Sequence, residues 1–320
     1  MFDGMVVGAY AASPAHGSWD PRAEEEFFAG LVATPGVGAL ELPWLGSIHP
    51  HDGAWLRSHF PAELGAIITD IPHTMDQIGA NPAYGLASVT PEGRRAAVEN
   101  VARLRDDVRR FHDAQGRKAV GAVELHSAPR GAEGSRDALD RSLTEIASWE
   151  WGGVQLVIEH CDAWREGQAP EKGFLDLDTE MDAIARSGAP VGVSLNWGRS
   201  VIEGRSPDTA VEHARIARER GLLRGFIASG AADVDTVFGP AWIDAHLPFA
   251  LTPTTTPHGL AGSLMTEERV TEVLRAAGQL DWRGVKVSAR PGDSIADRVA
   301  LVAESIALLA QIEASLDIAE

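Results

Sequence analysis

The run Val154-Gln155-Leu156-Val157-Ile158-Glu159 decides the fold, because it is an apolar, strand-like stretch that ends in a carboxylate. Eight apolar runs of this kind alternate with helical stretches along the chain. Alternating strands and helices are typical of parallel α/β folds, and eight such units predict a closed (β/α)8 TIM barrel. The chemistry of such barrels lies at the carboxyl ends of the strands, so Glu159 is the first candidate site residue.

Apolar runs and helical periodicity give approximate boundaries for the eight units. The predicted strands are 5–10, 37–42, 66–71, 119–125, 154–159, 191–195, 223–228 and 285–289. The predicted helices are 21–32, 53–60, 92–115, 137–149, 176–187, 208–220 and 293–313. The polar stretch 72–91 is predicted to be a connection. Segment 233–279, between strands seven and eight, is long and irregular, which favours a lid over the site; a subunit contact is the alternative.

Composition and charge narrow the class of protein. The chain has 320 residues, of which 44% are hydrophobic and 23% charged, which suits one TIM-barrel domain over residues 1–320. Its formal charge of -18 repels nucleic acid and anionic lipid, so neither is an expected partner. The single cysteine, Cys161, excludes an internal disulfide, and we find neither a signal-peptide pattern nor an apolar run near the roughly 20 residues of a membrane span. We expect a soluble, cytoplasmic protein, with homo-oligomerisation left open.

Three strand motifs resemble the xylose isomerase-like TIM-barrel superfamily, and most of all a branch of unknown function within it. The motifs are Gly38-Ala39-Leu40-Glu41-Leu42-Pro43, Leu156-Val157-Ile158-Glu159 and Val191-Gly192-Val193-Ser194-Leu195-Asn196. The resemblance implies a sugar isomerase or epimerase acting on a small carbohydrate. It also implies a divalent cation, Mn²⁺ or Mg²⁺, that carboxylates and a histidine from strands five to eight hold and that stabilises an enediolate.

The ligand positions implied by this resemblance are only partly kept. Glu159 matches the first ligand, whereas Asn196 stands at the second position, which is normally an aspartate, and a neutral amide binds Mg²⁺ or Mn²⁺ more weakly. Ser229 stands where strand seven would offer a histidine, and the last strand offers Lys286 rather than a glutamate. If a metal is bound by Glu159 and Asn196, we therefore expect it to be held weakly.

Alternation along the strands predicts which side chains point into the barrel. In strand eight Lys286, Ser288 and Arg290 share one face, and the apolar residues share the other face, which must pack on helices. The predicted interior charges are Glu41, Glu124, Glu159, Lys286 and Arg290. Buried charges need partners, so Lys286 could pair with Glu159 and take the electrostatic role of a metal.

Histidines near the strand ends are further candidates. His126 and His160 follow strands four and five, His73 lies in the connection after strand three, and His258 lies in segment 233–279. Each could bind substrate or move a proton, or could be a structural histidine of a loop.

Two functional hypotheses follow. In the first, Glu159 or Glu124 transfers a proton, and Lys286, His126 or a weakly bound metal stabilises an enediolate. The candidate substrate-binding residues are Glu41, His73, His160, Asn196, Ser229, His258, Ser288 and Arg290. In the second, the barrel is not catalytic and binds a sugar-like metabolite, or is one subunit of a larger sugar-processing lyase or deglycosylating enzyme. A glycosidase built on Glu124 and Glu159 ranks third.

Overall fold

The computed structural model describes residues 2–15, 17–255 and 257–317. Eight parallel strands pair in chain order and close into a barrel, since the first strand bonds to both the second and the last. The strands are β1 (Met5–Gly8), β2 (Val37–Pro43), β3 (Gly65–Thr69), β4 (Val120–Leu125), β5 (Gln155–His160), β6 (Val191–Asn196), β7 (Leu223–Ala228) and β8 (Trp282–Val285). The predicted (β/α)8 TIM barrel is confirmed.

Helices connect the strands and surround the barrel. Among the described residues they are α1 (Ala9–Ala12), α2 (Pro21–Ala33), α3 (Gly53–His59), α4 (Ile71–Ala80), α5 (Pro91–Gln115), α6 (Arg136–Ala147), α7 (Leu177–Ser187), α8 (Trp197–Gly204), α9 (Asp208–Glu219), α10 (Glu267–Ala277) and α11 (Ile295–Asp317). Several begin as their sequence dictates: Asp20 caps α2 and Thr90 caps α5, and in both a proline follows at the first position, where no backbone N–H is needed.

Several predicted boundaries are wrong, including that of strand one, whose last two predicted residues, Ala9 and Tyr10, lie in α1. β8 lies three residues before the predicted run 285–289 and ends at Val285. The stretch 72–91, predicted to be a connection, contains most of α4, because Pro72 falls in the first helical turn and so does not break the helix. The predicted lid, 233–279, contains α10, which Thr266 caps by accepting a hydrogen bond from the Arg269 backbone.

The remaining irregular segment between β7 and α10 is 229–266, which we call the β7–α10 segment. Gly230 and Leu247 pair through their backbones, and the Ser288 backbone N–H donates to the carbonyl of His246 at 2.7 Å. The segment is therefore fastened to the carboxyl end of the barrel at both β7 and the residues after β8. Its role as a lid stays a prediction.

The barrel interior consists of an apolar layer and a polar layer. The apolar layer is Val6, Ala39, Ile67, Ala122, Val157, Ile227 and Trp282. Two residues further along five of these strands, and hence on the same face, stand the polar side chains of Glu41, Thr69, Glu124, Glu159 and Ser229. The strand period thus gives the barrel an apolar base and a polar carboxyl end.

The last helix, α11, covers the outside of the barrel beside α2, α10 and β8. By length and composition alone, Ile295–Leu316 is apolar enough to cross a membrane, so the expectation that no run approaches that length was wrong. Its apolar side chains pack inward: Leu301, Val302 and Ile306 belong to the main hydrophobic core. A core helix of a barrel satisfies the same test, so this feature is weak support for a membrane span.

Candidate functional site

Five charged side chains meet at the polar end of the barrel, and we call them the central cluster. They are Glu41, Glu124, Glu159, Arg199 and Lys286, and none is more than 1% exposed. Sequence reasoning found four of them through strand alternation. Arg199 was missed because it lies on α8, in the turn after Asn196, where no strand period points to it.

Lys286 forms an ion pair with Glu41, with 2.6 Å between Nζ and Oε1. The predicted partner, Glu159, was therefore wrong. The strand order explains why Lys286 pairs with Glu41, because β1 lies directly between β8 and β2. Gly8 of β1 leaves room for the lysine side chain, since a Cβ on Gly8 would stand 2.4 Å from Lys286 Cγ. The ammonium also lies 4.6 Å from the ring centre of Tyr10. Burial lowers the pKa of Lys286, but Glu41, Tyr10 and Glu159 together outweigh it and hold that pKa above its ordinary value.

Glu159 is held as a carboxylate by two cationic neighbours. Arg199 Nη1 lies 2.6 Å from Oε1, as an ion pair without an aligned hydrogen bond, and His126 Nε2 lies 2.9 Å from Oε2. Thr69 also donates to Oε2 at 3.3 Å. Burial alone would raise the pKa of Glu159, but Arg199, Lys286 and His126 together hold it well below its ordinary value.

Glu124 has the opposite electrostatic environment in the same interior. Its Oε1 accepts a hydrogen bond from Ser194 at 3.0 Å, and its buried Oε2 has no partner. Burial, followed by repulsion from Glu159 and Glu41, raises the pKa of Glu124 well above its ordinary value. Two carboxyl groups whose environments drive their pKa values apart are the usual arrangement of a catalytic acid and a catalytic base.

His126 links the central cluster to the end of β3. Its Nδ1 lies 2.5 Å from Asp70 Oδ1, and its Nε2 faces Glu159. Burial would lower the pKa of His126, yet these two carboxylates raise it above its ordinary value. Asp70 was missed as a site residue. Glu159 is a candidate as a carboxylate at the carboxyl end of a strand, and Asp70 meets the same criterion, since it follows β3 directly.

The β7–α10 segment contributes two further groups. Asp244 Oδ2 lies 3.0 Å from Arg199 Nε and 3.1 Å from Lys172 Nζ. His246 Nδ1 lies 3.2 Å from Asp244 Oδ1 and 3.0 Å from the hydroxyl of Ser229. Burial lowers the pKa of His246 to about 3, so its imidazole is neutral. Sequence patterns did not single out Asp244 or His246, because a loop has no period that orients its side chains.

The ligand positions implied by the xylose isomerase resemblance do not suit a divalent cation here. Asn196 Oδ1 is used as the cap of α8, accepting from the backbones of Gly198 and Arg199. Glu159 is paired with Arg199, and the charge of the Lys286 ammonium also acts on Glu159. A dication at this point would be repelled by two buried cations, which already supply the positive charge.

Two of the predicted substrate-binding residues lie in the loop after β8. Arg290, predicted to point into the barrel, is exposed, and its backbone N–H donates to Asp293 at 2.8 Å. Ser288 is half-buried and contacts the β7–α10 segment through its backbone. The prediction for Arg290 was wrong because β8 ends at Val285, so strand alternation does not extend that far.

Two predicted histidines lie outside the central cluster. His73 is not in a loop but in α4, where its ring contacts the Trp44 ring with 4.6 Å between centres. His258 pairs with Glu304 of α11, with 2.7 Å between Nδ1 and Oε2.

His160 points away from the central cluster, because it follows Glu159 in β5 and neighbouring strand residues face opposite sides. Its Nδ1 lies 2.7 Å from Glu180 and its Nε2 lies 3.0 Å from Glu203. Burial lowers the pKa of His160, but the two carboxylates outweigh it and raise that pKa to about 10. With His213 these residues form a group that we call the outer histidine cluster. His160, Glu203 and His213 place ligand atoms within 4.8 Å of one another and could hold a metal ion.

Comparison with known proteins agrees with this architecture. An uncharacterized protein of Salmonella typhimurium (strain LT2) is 37% identical over 290 residues, covering 89% of each chain. The crystal structure of D-allulose 3-epimerase from Methylomonas sp. is 13% identical, with a TM-score of 0.60 over 98% of this chain and 99% of that chain. A xylose isomerase domain containing protein from Salmonella typhimurium is 12% identical, with a TM-score of 0.59 over 96% and 97%.

These structures confirm the predicted resemblance to xylose isomerase-like barrels at the level of the fold. One family profile, described as a domain of unknown function (DUF4862), matches residues 6–301. The chain belongs to this DUF4862 family.

Proposed function

We propose that this barrel catalyses proton transfer on a small carbohydrate or sugar derivative, as an isomerase or epimerase whose central cluster works with protein cations in place of a metal. The observation that carries the proposal is the contrast between two carboxyl groups in one buried interior. Glu159 lies beside Arg199 and His126, whereas Glu124, among the described residues, bonds only to Ser194. This contrast shifts their pKa values in opposite directions. The fold is also that of D-allulose 3-epimerase, which supports the proposed kind of reaction.

In the proposed reaction, Glu159 is the base and Glu124 is the acid. The Glu159 carboxylate takes the proton from the carbon next to the sugar carbonyl, and the carbonyl oxygen becomes negatively charged as the enediolate forms. Arg199 and Lys286 stabilise that charge, since preorganised cations in a dry interior act strongly on developing charge. Glu124 then gives its proton to the same carbon from the other side, which re-forms the carbonyl of the epimer. For isomerisation it gives the proton to the former carbonyl carbon, and the proton of the adjacent hydroxyl passes to the enediolate oxygen. Proton exchange with water restores both carboxyl groups.

Entry of a sugar requires the central cluster to open, because its members are buried. The β7–α10 segment is the part that we propose to move. It contacts the central cluster through Asp244, whose Oδ2 lies 3.0 Å from Arg199 Nε. Opening it would free one side of the guanidinium, which is then available for a sugar oxygen.

Hydrogen–deuterium exchange tests this proposal with a panel of candidate sugars. The protein is incubated in D₂O with EDTA and with ketoses that include D-allulose and D-fructose, and ¹H NMR follows loss of the signal from the C–H next to the carbonyl. We expect exchange with the wild-type protein and loss of exchange with Glu159→Gln, which removes the proposed base and keeps the shape of the side chain. The matched control is Glu219→Gln on α9, whose exposed carboxylate lies outside the site.

Other outcomes would contradict parts of the proposal. Exchange that stops with EDTA and returns with Mn²⁺ or Mg²⁺ would show that a metal is used despite the two cations. Sugar binding without any exchange would instead support the second hypothesis, a barrel that binds a sugar-like metabolite. Equal exchange by wild type and Glu159→Gln would remove Glu159 from the mechanism.

A further inference from the structure

The outer histidine cluster lies between the barrel and helices α7 to α9, and the proposed proton transfer does not use it. We propose that His160, Glu203 and His213 form a Zn²⁺ site whose fourth ligand is water. This site is separate from the central cluster, so the inference does not depend on the proposed function.

The distances between ligand atoms suit one ion. Zn–N and Zn–O bonds of about 2.0–2.1 Å in a tetrahedron place neighbouring ligand atoms about 3.3 Å apart. His160 Nε2 lies 3.0 Å from Glu203 Oε2, and His213 Nε2 lies 3.7 Å from Glu203 Oε1. These separations bracket the tetrahedral value, so small side-chain rotations bring all three groups onto one ion.

Each imidazole is also oriented through its other nitrogen. Nδ1 of His160 lies 2.7 Å from the fully buried Glu180, and Nδ1 of His213 lies 3.0 Å from the hydroxyl of Ser200. Histidines that bind metals usually have the second ring nitrogen held in this way, which fixes the tautomer and directs the free nitrogen at the ion. Both Nε2 atoms here face Glu203.

The ligand set and its surroundings favour zinc. Two imidazole nitrogens and one carboxylate suit Zn²⁺, whereas Mg²⁺ and Ca²⁺ prefer oxygen ligands. A cavity of about 430 Å³ borders Glu203 and His213 and offers space for a water ligand and a route of entry. Its other carboxylates are Asp176, Asp178, Asp208 and Glu212. Their negative charge raises the local concentration of cations.

A purely structural ion network is the competing explanation. Arg165 Nη2 lies 2.7 Å from Glu203 Oε1, and a protonated His160 between Glu180 and Glu203 would hold the cluster together without a metal. The Arg165 side chain is 51% exposed, so it can turn into solvent when an ion binds. Arg165→Ala therefore separates the two explanations: it frees a ligand oxygen in a metal site, but in a structural network it only removes an ion pair.

The test is a titration of chelator-treated, full-length protein with Zn²⁺ by calorimetry, together with the visible spectrum of the Co²⁺ form. We expect one equivalent of Zn²⁺ to bind the wild type and the Co²⁺ spectrum to be that of a four- or five-coordinate ion. His213→Gln should weaken binding by more than roughly 100-fold, and Ser200→Ala by roughly 10-fold. Arg165→Ala should bind Zn²⁺ more tightly. His59→Gln, an exposed histidine on α3, should bind as the wild type does.

Circular dichroism checks that each variant is folded. His213→Gln should disturb the fold little, because it replaces one neutral side chain by another: burial and the charge of His160 lower the pKa of His213 to about 4. No Zn²⁺ binding by the wild type would overturn the proposal. Equal Zn²⁺ affinity of the wild type and His213→Gln would also overturn it. So would an Arg165→Ala variant that binds Zn²⁺ no more tightly than the wild type and is less stable.

Discussion

Replacing each of two buried glutamates by glutamine should have very different effects on stability. Glu159→Gln removes a charge that lies 2.6 Å from Arg199 and 2.9 Å from His126, so buried Arg199 loses its nearest anion and His126 loses one of its two carboxylate partners. Breaking a buried pair in this way costs on the order of 3–5 kcal/mol. At about 2 °C per kcal/mol for a domain of this size, the melting temperature should fall by roughly 6–10 °C.

Glu124→Gln should have little effect on stability, because the pKa of Glu124 is raised by burial and by Glu159, so the side chain is already a neutral acid. Glutamine keeps its shape and its acceptor for Ser194, so we expect a change within about 1 kcal/mol. Glu159→Gln should also lose the proposed proton exchange, because it removes the base. Glu124→Gln should keep that exchange but lose formation of the product, because it removes the acid.

Thermal and urea unfolding of wild type, Glu159→Gln and Glu124→Gln measures this difference at one pH, with EDTA present. Glu219→Gln is the control, because its ion pair with Arg215 also measures 2.6 Å but both side chains are exposed, so its stability should hardly change. The reasoning is refuted if Glu124→Gln loses as much stability as Glu159→Gln, or if Glu159→Gln unfolds at the wild-type temperature.

Three further predictions concern the same interior. Above the ordinary glutamate pKa of 4.5, the folded state keeps a proton on Glu124 that the unfolded state has released, so the stability of the wild type should decline as the pH rises. Urea unfolding from about pH 5 to 9 should show a smaller decline for Glu124→Gln. Parallel pH profiles of the two proteins would contradict this prediction. In thermal unfolding, Lys286→Met should destabilise the protein by about 3–5 kcal/mol, and adding Glu41→Gln should recover much of the loss. Gly8→Ala should also destabilise the protein, because the added Cβ displaces Lys286. If the effects of Lys286→Met and Glu41→Gln simply add in the double variant, the two residues do not form a stabilising pair. Cys161 should resist a thiol reagent until the protein unfolds, because it is fully buried and burial raises the pKa of its thiol well above the ordinary value. Rapid labelling of the native protein would contradict this prediction.

The sequence by itself determined the barrel and the direction of its polar side chains. Both follow from local periods: the alternation of strands and helices, and the two-residue repeat that places Glu41, Glu124 and Glu159 above an apolar layer. The same repeat failed for Arg290, because it holds only while the chain remains a strand. Helix α4 was not predicted because Pro72, in its first turn, is a residue typical of connections. Helix α10 was not predicted because it follows a long irregular segment.

Only the tertiary structure decided which charges pair and which carboxyl group keeps a proton. Lys286 reaches Glu41 across 245 positions of sequence because closure of the barrel brings β8 and β2 to either side of β1. Arg199 reaches Glu159 from a helix, and together with Lys286 and His126 it lowers the pKa of Glu159, whereas burial and two like charges raise that of Glu124. Electrostatic interactions depend on distance and burial in space, and neither quantity is encoded in the local period of a strand or a helix.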